Sequence, residues 1–467
     1  MRIVLADLRG REGFVSKDTV AGGYGSRLRP FSKTTELVSL VKRRTHDVPS
    51  VQLAYLAAIA ARHEHEVRWT RDEYVEGDVA IVLSSLVDYR QETAWARAIR
   101  KRGVRVGFVG LAASKMSSLF ADHADFVIQG EPEAAFTNLA AGATLEGLVD
   151  SRPVPDLDVL PFPRWDLVGA SMQARVRLPL PWGVRPFGGV FPVLASRGCP
   201  EFCTYCPHRI LEAYRMRSVD SIVGELEHLC AITPRPYVLF RDPLFSQDRN
   251  RCLTLAGAIL ARGLKLTFEC ETRLDRLDPE LLDALHRAGL RAISFGVESL
   301  SPETLKRAGR RPIAEGQQRT VIDHCRQLGI ATAAFYVFGF PQDDWSSIAA
   351  TIAYAIDLGS TAAQFKLLTP YPGTPLWKQL EPTIFEEDWE RFDGFTPTFT
   401  HPHLTSEQLR FLLGAAYSRF YVRPSYAGHC FRVVKTRPGR IAKRFDRVVA
   451  AYQSREETAL MSRAVTC

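Results

Sequence analysis

The sequence predicts an α/β protein: an N-terminal Rossmann-like domain, then a partial barrel of six strand–helix repeats, then a mainly helical C-terminal region. Three observations predict it. Short apolar segments alternate with helical ones through residues 1–150. The alternation resumes near residue 189 and runs for six repeats. Between the two lies a proline- and tryptophan-rich stretch, "RPVPDLDVLPFPRWDLVG" and then "LPLPWGVRPFGG", whose density of proline argues for a crossing linker. Strands separated by helices imply parallel sheets with right-handed crossovers.

Each element can be justified in order. "RIVLA" reads as a first strand, and "PSVQLAYLAAIAARHEH" has helical periodicity. "EVRWT", "DVAIVLSS" and "VRVGFVG" read as strands, with the helix "QETAWARAIRKRG" before the last of them. "ADFVIQGEPEAAFTNLA" adds a strand and a helix opened by acidic residues. In the second half, strands are expected near 190–196, 237–241, 265–270, 291–297, 331–338 and 361–368. Helices are expected near 218–231, 249–262, 279–288, 313–328 and 345–357, and beyond the barrel near 405–421 and 440–460. The domains are thus placed at 1–150, 151–186 (linker), 187–384 (barrel) and 385–467.

Composition limits the function classes. A length of 467 residues with 46% apolar content supports two or three ordinary cores. The net charge of +8 is concentrated in "FRVVKTRPGRIAKRFDR" (431–447), a solvated face rather than an interleaved basic and aromatic surface, so no nucleic acid is expected. No apolar run is long enough for a bilayer and the N-terminus lacks a signal-peptide pattern, so a cytoplasmic protein without membrane contact is expected. Nine cysteines, an odd number, do not form a disulfide framework.

Three of those cysteines lie in "SRGCPEFCTYCPHRI" (196–210), spaced Cys199-x3-Cys203-x2-Cys206, directly after the barrel's first strand. In a parallel barrel the reactive groups gather at the carboxyl ends of the strands, where this loop falls. A zinc site would need a fourth ligand, which His208 could supply. Three thiolates equally suit a [4Fe–4S] cluster with one iron left open. The other cysteines (230, 252, 270, 325, 430 and 467) form no Cys-x-x-Cys pair and read as small apolar residues, with Cys270 at a strand end. His63 and His65, at a helix exit, read as surface residues.

The C-x3-C-x2-C loop with an aromatic residue before its last cysteine resembles the radical S-adenosylmethionine (radical SAM) family. Further stretches are similar to the same family: "GVES" (296–299), "ECETRLDRLD" (269–278), "VFGFP" (337–341) and "TPYPGTPLW" (369–377). Together with "GEPE" (130–133) and "LPFP" (160–163), they resemble the branch that carries a cobalamin-binding-like domain before the radical core, over roughly residues 1–380. The resemblance implies a [4Fe–4S] cluster on Cys199, Cys203 and Cys206, with SAM chelating the open iron. It implies SAM contacts from Tyr205, Arg273, Glu298 and the turn at Gly339 and Pro341. It also implies an external one-electron reductant and reductive cleavage of SAM to a 5′-deoxyadenosyl radical that abstracts hydrogen from an unactivated carbon.

Two reactions follow from the resemblance. The Asp-x-His-x-x-Gly cobalamin mark is absent, and "ADHADFVIQG" (121–130) has Asp122 and His123 in the wrong spacing, so cobalamin is not expected. The chain with "VAGGYGSRLRPFSKTT" (20–35) resembles the radical SAM diol dehydratases of apramycin-type aminoglycoside biosynthesis. That implies 1,2-diol dehydration of a paromamine-like small molecule, with a downstream reductase as partner. The alternative is a cobalamin-dependent radical SAM C-methyltransferase acting on a specialised metabolite. Dehydration would use an acid and a base, for which Tyr214, Asp242, Glu269 and Glu271 stand at strand ends. Glu269 and Glu271 alternate along an extended stretch and so share one face, which would suit ammonium groups. An RNA methylthiolating activity would need cysteines in the N-terminal domain, and residues 1–150 contain none.

Overall fold

A computed structural model describes residues 1–10, 12–17, 23–45, 48–168 and 190–423. The basic stretch 431–447, the helix expected near 440–460 and most of the proline-rich linker lie outside the described residues.

The first sheet is built from β1 (Arg2–Ala6), a hairpin β2 (Phe14–Ser16) and β3 (Ser26–Leu28), α1 (Lys33–Thr45), α2 (Val51–Arg62), β4 (Glu66–Thr70), β5 (Val79–Leu83), α3 (Tyr89–Arg100), β6 (Arg105–Val109), α4 (Leu111–Lys115), β7 (Phe126–Gly130), α5 (Glu133–Ala140) and β8 (Gly147–Ser151). Its strands pair in the order β4-β1-β5-β6-β7-β8, parallel throughout, while β2 and β3 pair only with each other. The order reverses between β1 and β5, the switch point outside which open parallel sheets bind ligands. β5, "VAIVL", is buried at all five positions, as a strand covered on both faces must be. α2 is apolar almost all round because it is packed inside, with Ser50 as its N-cap.

The second sheet follows with β9 (Val190–Val193), the short pair β10 (Ser196–Arg197) and β11 (Arg215–Met216) around α6 (His208–Leu211), then α7 (Val219–Ile232), β12 (Tyr237–Phe240), α8 (Arg249–Ala261), β13 (Thr267–Thr272), α9 (Pro279–Ala288), β14 (Leu290–Glu298), α10 (Pro302–Arg307), α11 (Glu315–Leu328), β15 (Ala331–Phe338), α12 (Trp345–Leu358), β16 (Ala362–Leu367), α13 (Pro375–Leu380) and α14 (Ser406–Tyr421). The order β9-β12-β13-β14-β15-β16 is wholly parallel, six strands of an open barrel. Along β13, β14 and β16 burial alternates residue by residue: one face packs on the helices and the other lines a lumen.

The six barrel strands and their helices fall within a few residues of expectation. The hairpin and α1, inserted between β1 and α2, were not expected. α1 is stabilised by packing against β2 and α14 rather than by a strong apolar stripe of its own. α14 in turn covers the free edge of β16. The Tyr417 hydroxyl donates to Phe365 O (3.0 Å) and accepts from Phe365 N (3.3 Å), and Tyr421 treats Ala363 the same way at 2.6 and 3.1 Å. A row of edge amides that would otherwise be open is thereby satisfied.

Candidate radical site and the cleft above it

Cys199, Cys203 and Cys206 stand on the loop between β10 and α6, at the carboxyl end of β9. Asp242, at the end of β12, is fully buried and aims both oxygens at this loop's base. It accepts from Ala195 N at 3.0 Å and Ser196 Oγ at 2.5 Å. Burial raises its pKa, and the bonds from Ser196 and Ala195 oppose the rise. Asp242, a candidate acid or base from sequence, is thus placed as the residue that anchors the cysteine loop.

The three cysteines share one loop. Burial raises Cys199, and pushes Cys206 up to about 12 with further increments from Cys203 and Cys199. The three side chains are half-buried, and three soft donors on one loop fit an iron–sulfur cluster. His208, which a zinc site would need as fourth ligand, lines the cleft between the sheets.

Glu298 ends β14 at φ +66, a left-handed conformation that non-glycine residues seldom adopt. Burial raises its pKa, opposed by Arg310, whose Nη2 lies 3.5 Å from its Oε1. Arg310 also donates to Gly296 O at 2.6 Å and reaches Cys203 Sγ at 3.9 Å. One guanidinium therefore ties the cysteine loop to the end of β14. Sequence reasoning missed it, because "GRRP" carries no spacing signal. Gly296 is required by the same packing: a Cβ there would overlap the Glu298 carboxylate and lie 2.8 Å from Arg310 Nη2.

The turn after β15 is pinned from two sides. Asp343 accepts from Gly339 N (2.9 Å) and Phe340 N (3.0 Å), and His401 Nε2 bonds Phe340 O at 2.8 Å. Phe340 then meets Tyr205 edge-on, ring centroids 5.6 Å apart. Gly339, at φ +86, takes the positive φ that lets this backbone turn in, with half-buried Pro341 following it. Asp343 and His401 were not foreseen, because each acts only across a gap in sequence. Arg273 is buried and held by Asp275 (2.9 Å) and Arg311 O (3.0 Å).

The remaining candidates line the lumen. Glu269 accepts from the Tyr237 hydroxyl at 2.6 Å and is raised by burial. Glu271 pairs with Arg241 at 2.7 Å, and Tyr214 is half-buried with its phenol pushed up to about 12 by burial. The two glutamates do share a face, as their alternation requires, yet each already has a partner. Tyr214 and Asp242 lie on the cysteine-loop side of the barrel and not beside that face.

A cleft separates the two sheets, lined among others by Ser50, Gln52, Leu83, Gly110, Gly198 and His208. Leu83 and Gly110 mark the carboxyl ends of β5 and β6, and Gly198 and His208 belong to the cysteine loop. The carboxyl ends of both sheets therefore open into one space.

A barrel of six parallel strands with three cysteines after the first defines the class. Residues 193–355, from the end of β9 through most of α12, match the family described as the Radical SAM superfamily. The chain is 28% identical to an uncharacterised methyltransferase of Pyrococcus horikoshii over 64% of this chain and 68% of that one. It is 22% identical to the bacteriochlorophyllide d C-12(1)-methyltransferase of Chlorobaculum tepidum, over 71% and 72% respectively. The fold is shared with the radical SAM methyltransferase TsrM from Kitasatospora setae, solved with cobalamin and a [4Fe–4S] cluster bound: TM-score 0.60, 15% identity, 98% of this chain and 99% of that one.

These findings overturn the expectation of diol dehydration on an aminoglycoside. The two relatives given above are named methyltransferases, and the motifs "GVES", "FGFP" and "PYPGT" belong to the resemblance to the whole branch, which does not separate the two reactions. Of the candidate acids and bases, Glu269, Glu271 and Asp242 are each already engaged. No helix among the described residues is long and apolar enough to cross a membrane.

Proposed function

We propose that this protein is a radical SAM methyltransferase that works with cobalamin on a small-molecule acceptor. The observation that carries the reading is the shared cleft: the switch-point side of the first sheet faces the cysteine loop across a space walled mainly by apolar surface, with glycines and a few polar side chains among its lining. Gln52 offers a donor and an acceptor suited to an amide-rimmed ring, and Gly110 and Gly198 let backbone approach it closely. When bound, the cluster would supply the electron for SAM cleavage and cobalamin a methyl carrier. The missing Asp-x-His-x-x-Gly mark takes away one histidine that would help to hold cobalamin and leaves the rest of the cleft lining in place.

The chain's own residues have distinct tasks in this reading. Cys199, Cys203 and Cys206 hold the cluster; Arg310 and Glu298 fix the ribose and amino end of SAM beside it; Tyr205, Phe340 and the Gly339 turn shape the adenine side. Buried walls keep water from a reactive radical. The cofactor reading is tested on protein purified anaerobically from cobalamin-fed cells. The expected result is close to one corrinoid per chain by absorbance, and transfer of deuterium label from methyl-labelled SAM to an acceptor. Iron-loaded protein with no corrinoid, releasing 5′-deoxyadenosine without methylation, would sink it.

A further inference from the structure

Two lysines, Lys42 and Lys366, come together on the lumen wall. Gln364 and Lys366 project from the same face of β16, two residues apart. Lys42 reaches them from α1, its Nζ donating to Gln364 Oε1. That bond leaves the Gln364 amide nitrogen turned outward as a donor. Lys366 runs along Gly394, its Nζ 5.7 Å from the Phe395 ring, and Lys42 Nζ stands 5.9 Å from the Phe14 ring. Neither lysine has a carboxylate within 4.0 Å among the described residues.

The nearby acids are already engaged. Glu271 is paired with Arg241 at 2.7 Å, Glu298 with Arg310 at 3.5 Å, Glu269 with the Tyr237 hydroxyl at 2.6 Å and Asp393 with Arg29 at 3.2 Å. Burial and mutual repulsion push Lys42 down to about 7. Burial pushes Lys366 down to about 8, against the pull of Asp393, Glu298 and Glu271. Half-buried ammonium groups without a counter-ion are costly unless a ligand brings one.

We propose that Lys42, Gln364 and Lys366 form an oxyanion site on the lumen wall that holds a carboxylate or phosphate group of the methyl acceptor. The patch offers three sets of donors and no unused acceptor, so it selects an anion over an amine. It also gives α1 a purpose, since this inserted helix brings to the barrel a cation that β16 alone lacks. The proposal rests on the methyltransferase reading for the word acceptor, but its test needs no methyl transfer.

Full-length, cluster-loaded protein is titrated by calorimetry with inorganic phosphate and, separately, acetate. The wild type should bind at least one of them saturably, and the stronger of the two identifies the anion. Lys366→Met and Lys42→Met should each weaken that binding about tenfold or more, and Lys366→Arg should keep it within about threefold. Gln364→Glu, which places a carboxylate between the lysines, should abolish anion binding with an unchanged or higher Tm, so lost binding cannot be blamed on misfolding. Absence of binding by the wild type, or equal binding by Lys366→Met, overturns the site. So does a tenfold loss of S-adenosylhomocysteine affinity in Lys366→Met, which would assign that lysine to the SAM carboxylate. Failure of the corrinoid test leaves these titrations interpretable.

Discussion

Asp343 is a carboxyl group surrounded by protein where a charge would want water. Burial raises it to about 7 against the opposing bonds from Phe340 N and Gly339 N. The folded chain therefore keeps a proton that the unfolded chain has released above an ordinary carboxylate value of 3.8. Stability should fall as pH rises from about 4 to about 7, by up to about 4 kcal/mol once the proton is lost. Asp343→Asn keeps an acceptor for both amides and carries no charge, so its urea-unfolding free energy should be flat over that window and exceed the wild type above it. A second single-residue case is Gly296. Gly296→Ala should drive the Glu298 carboxylate off its position while sparing the cysteines. S-adenosylhomocysteine affinity should drop about tenfold or more with iron content unchanged; loss of both together would contradict the division of roles.

At the scale of elements, the last strand depends on a helix that follows it by some forty residues. The hydroxyls of Tyr417 and Tyr421 answer four backbone groups on the edge of β16. Replacing either tyrosine by phenylalanine keeps the ring packing and strands a buried amide and carbonyl, at a cost of about 1–3 kcal/mol. The expected signature is local: hydrogen exchange should accelerate at Phe365 in Tyr417→Phe and at Ala363 in Tyr421→Phe, with distant strands protected as before. This arrangement could not be read from the sequence, since a tyrosine at helical spacing looks like any core residue. The six barrel strands could be read, because each is a short apolar run bounded by turn residues. So could the cysteine loop, because its spacing is chemistry in itself.

Across the whole molecule, the two sheets are joined by buried charge. Arg197, two residues before the first cysteine, bonds Glu131 at 2.9 Å and Glu133 at 2.6 Å at the start of α5, and Arg215 also pairs with Glu131. Tyr24 in the N-terminal hairpin stacks on Tyr371 (5.4 Å) and donates to Pro372 O, while Arg29 pairs with Asp393. The "GEPE" stretch, which in sequence only marks a family branch, is the socket for the cysteine loop's own arginine. Arg197→Ala would leave the buried Glu133 carboxylate unanswered and Glu131 with Arg215 alone, and should cost about 3–5 kcal/mol in chemical denaturation. Iron retained after reconstitution should fall with it, because the loop loses its hold on the first sheet.

The sequence by itself determined the cysteine loop and the radical SAM family match: three thiols at that spacing after a strand form a local pattern, and local patterns survive without tertiary contacts. It also determined most of the strands and helices, whose periodicity is a property of a few consecutive residues. It did not determine the reaction, and its preference for dehydration was wrong, since the motifs it could quote are shared by the whole branch. Only the tertiary structure could bring Arg310 to Glu298, Asp343 and His401 to the Gly339 turn, and Lys42 to Lys366. These pairs are separated by as many as 324 positions in the chain (366 minus 42), and no periodicity links them. Their meeting is decided by how two parallel sheets turn their carboxyl ends toward one cleft.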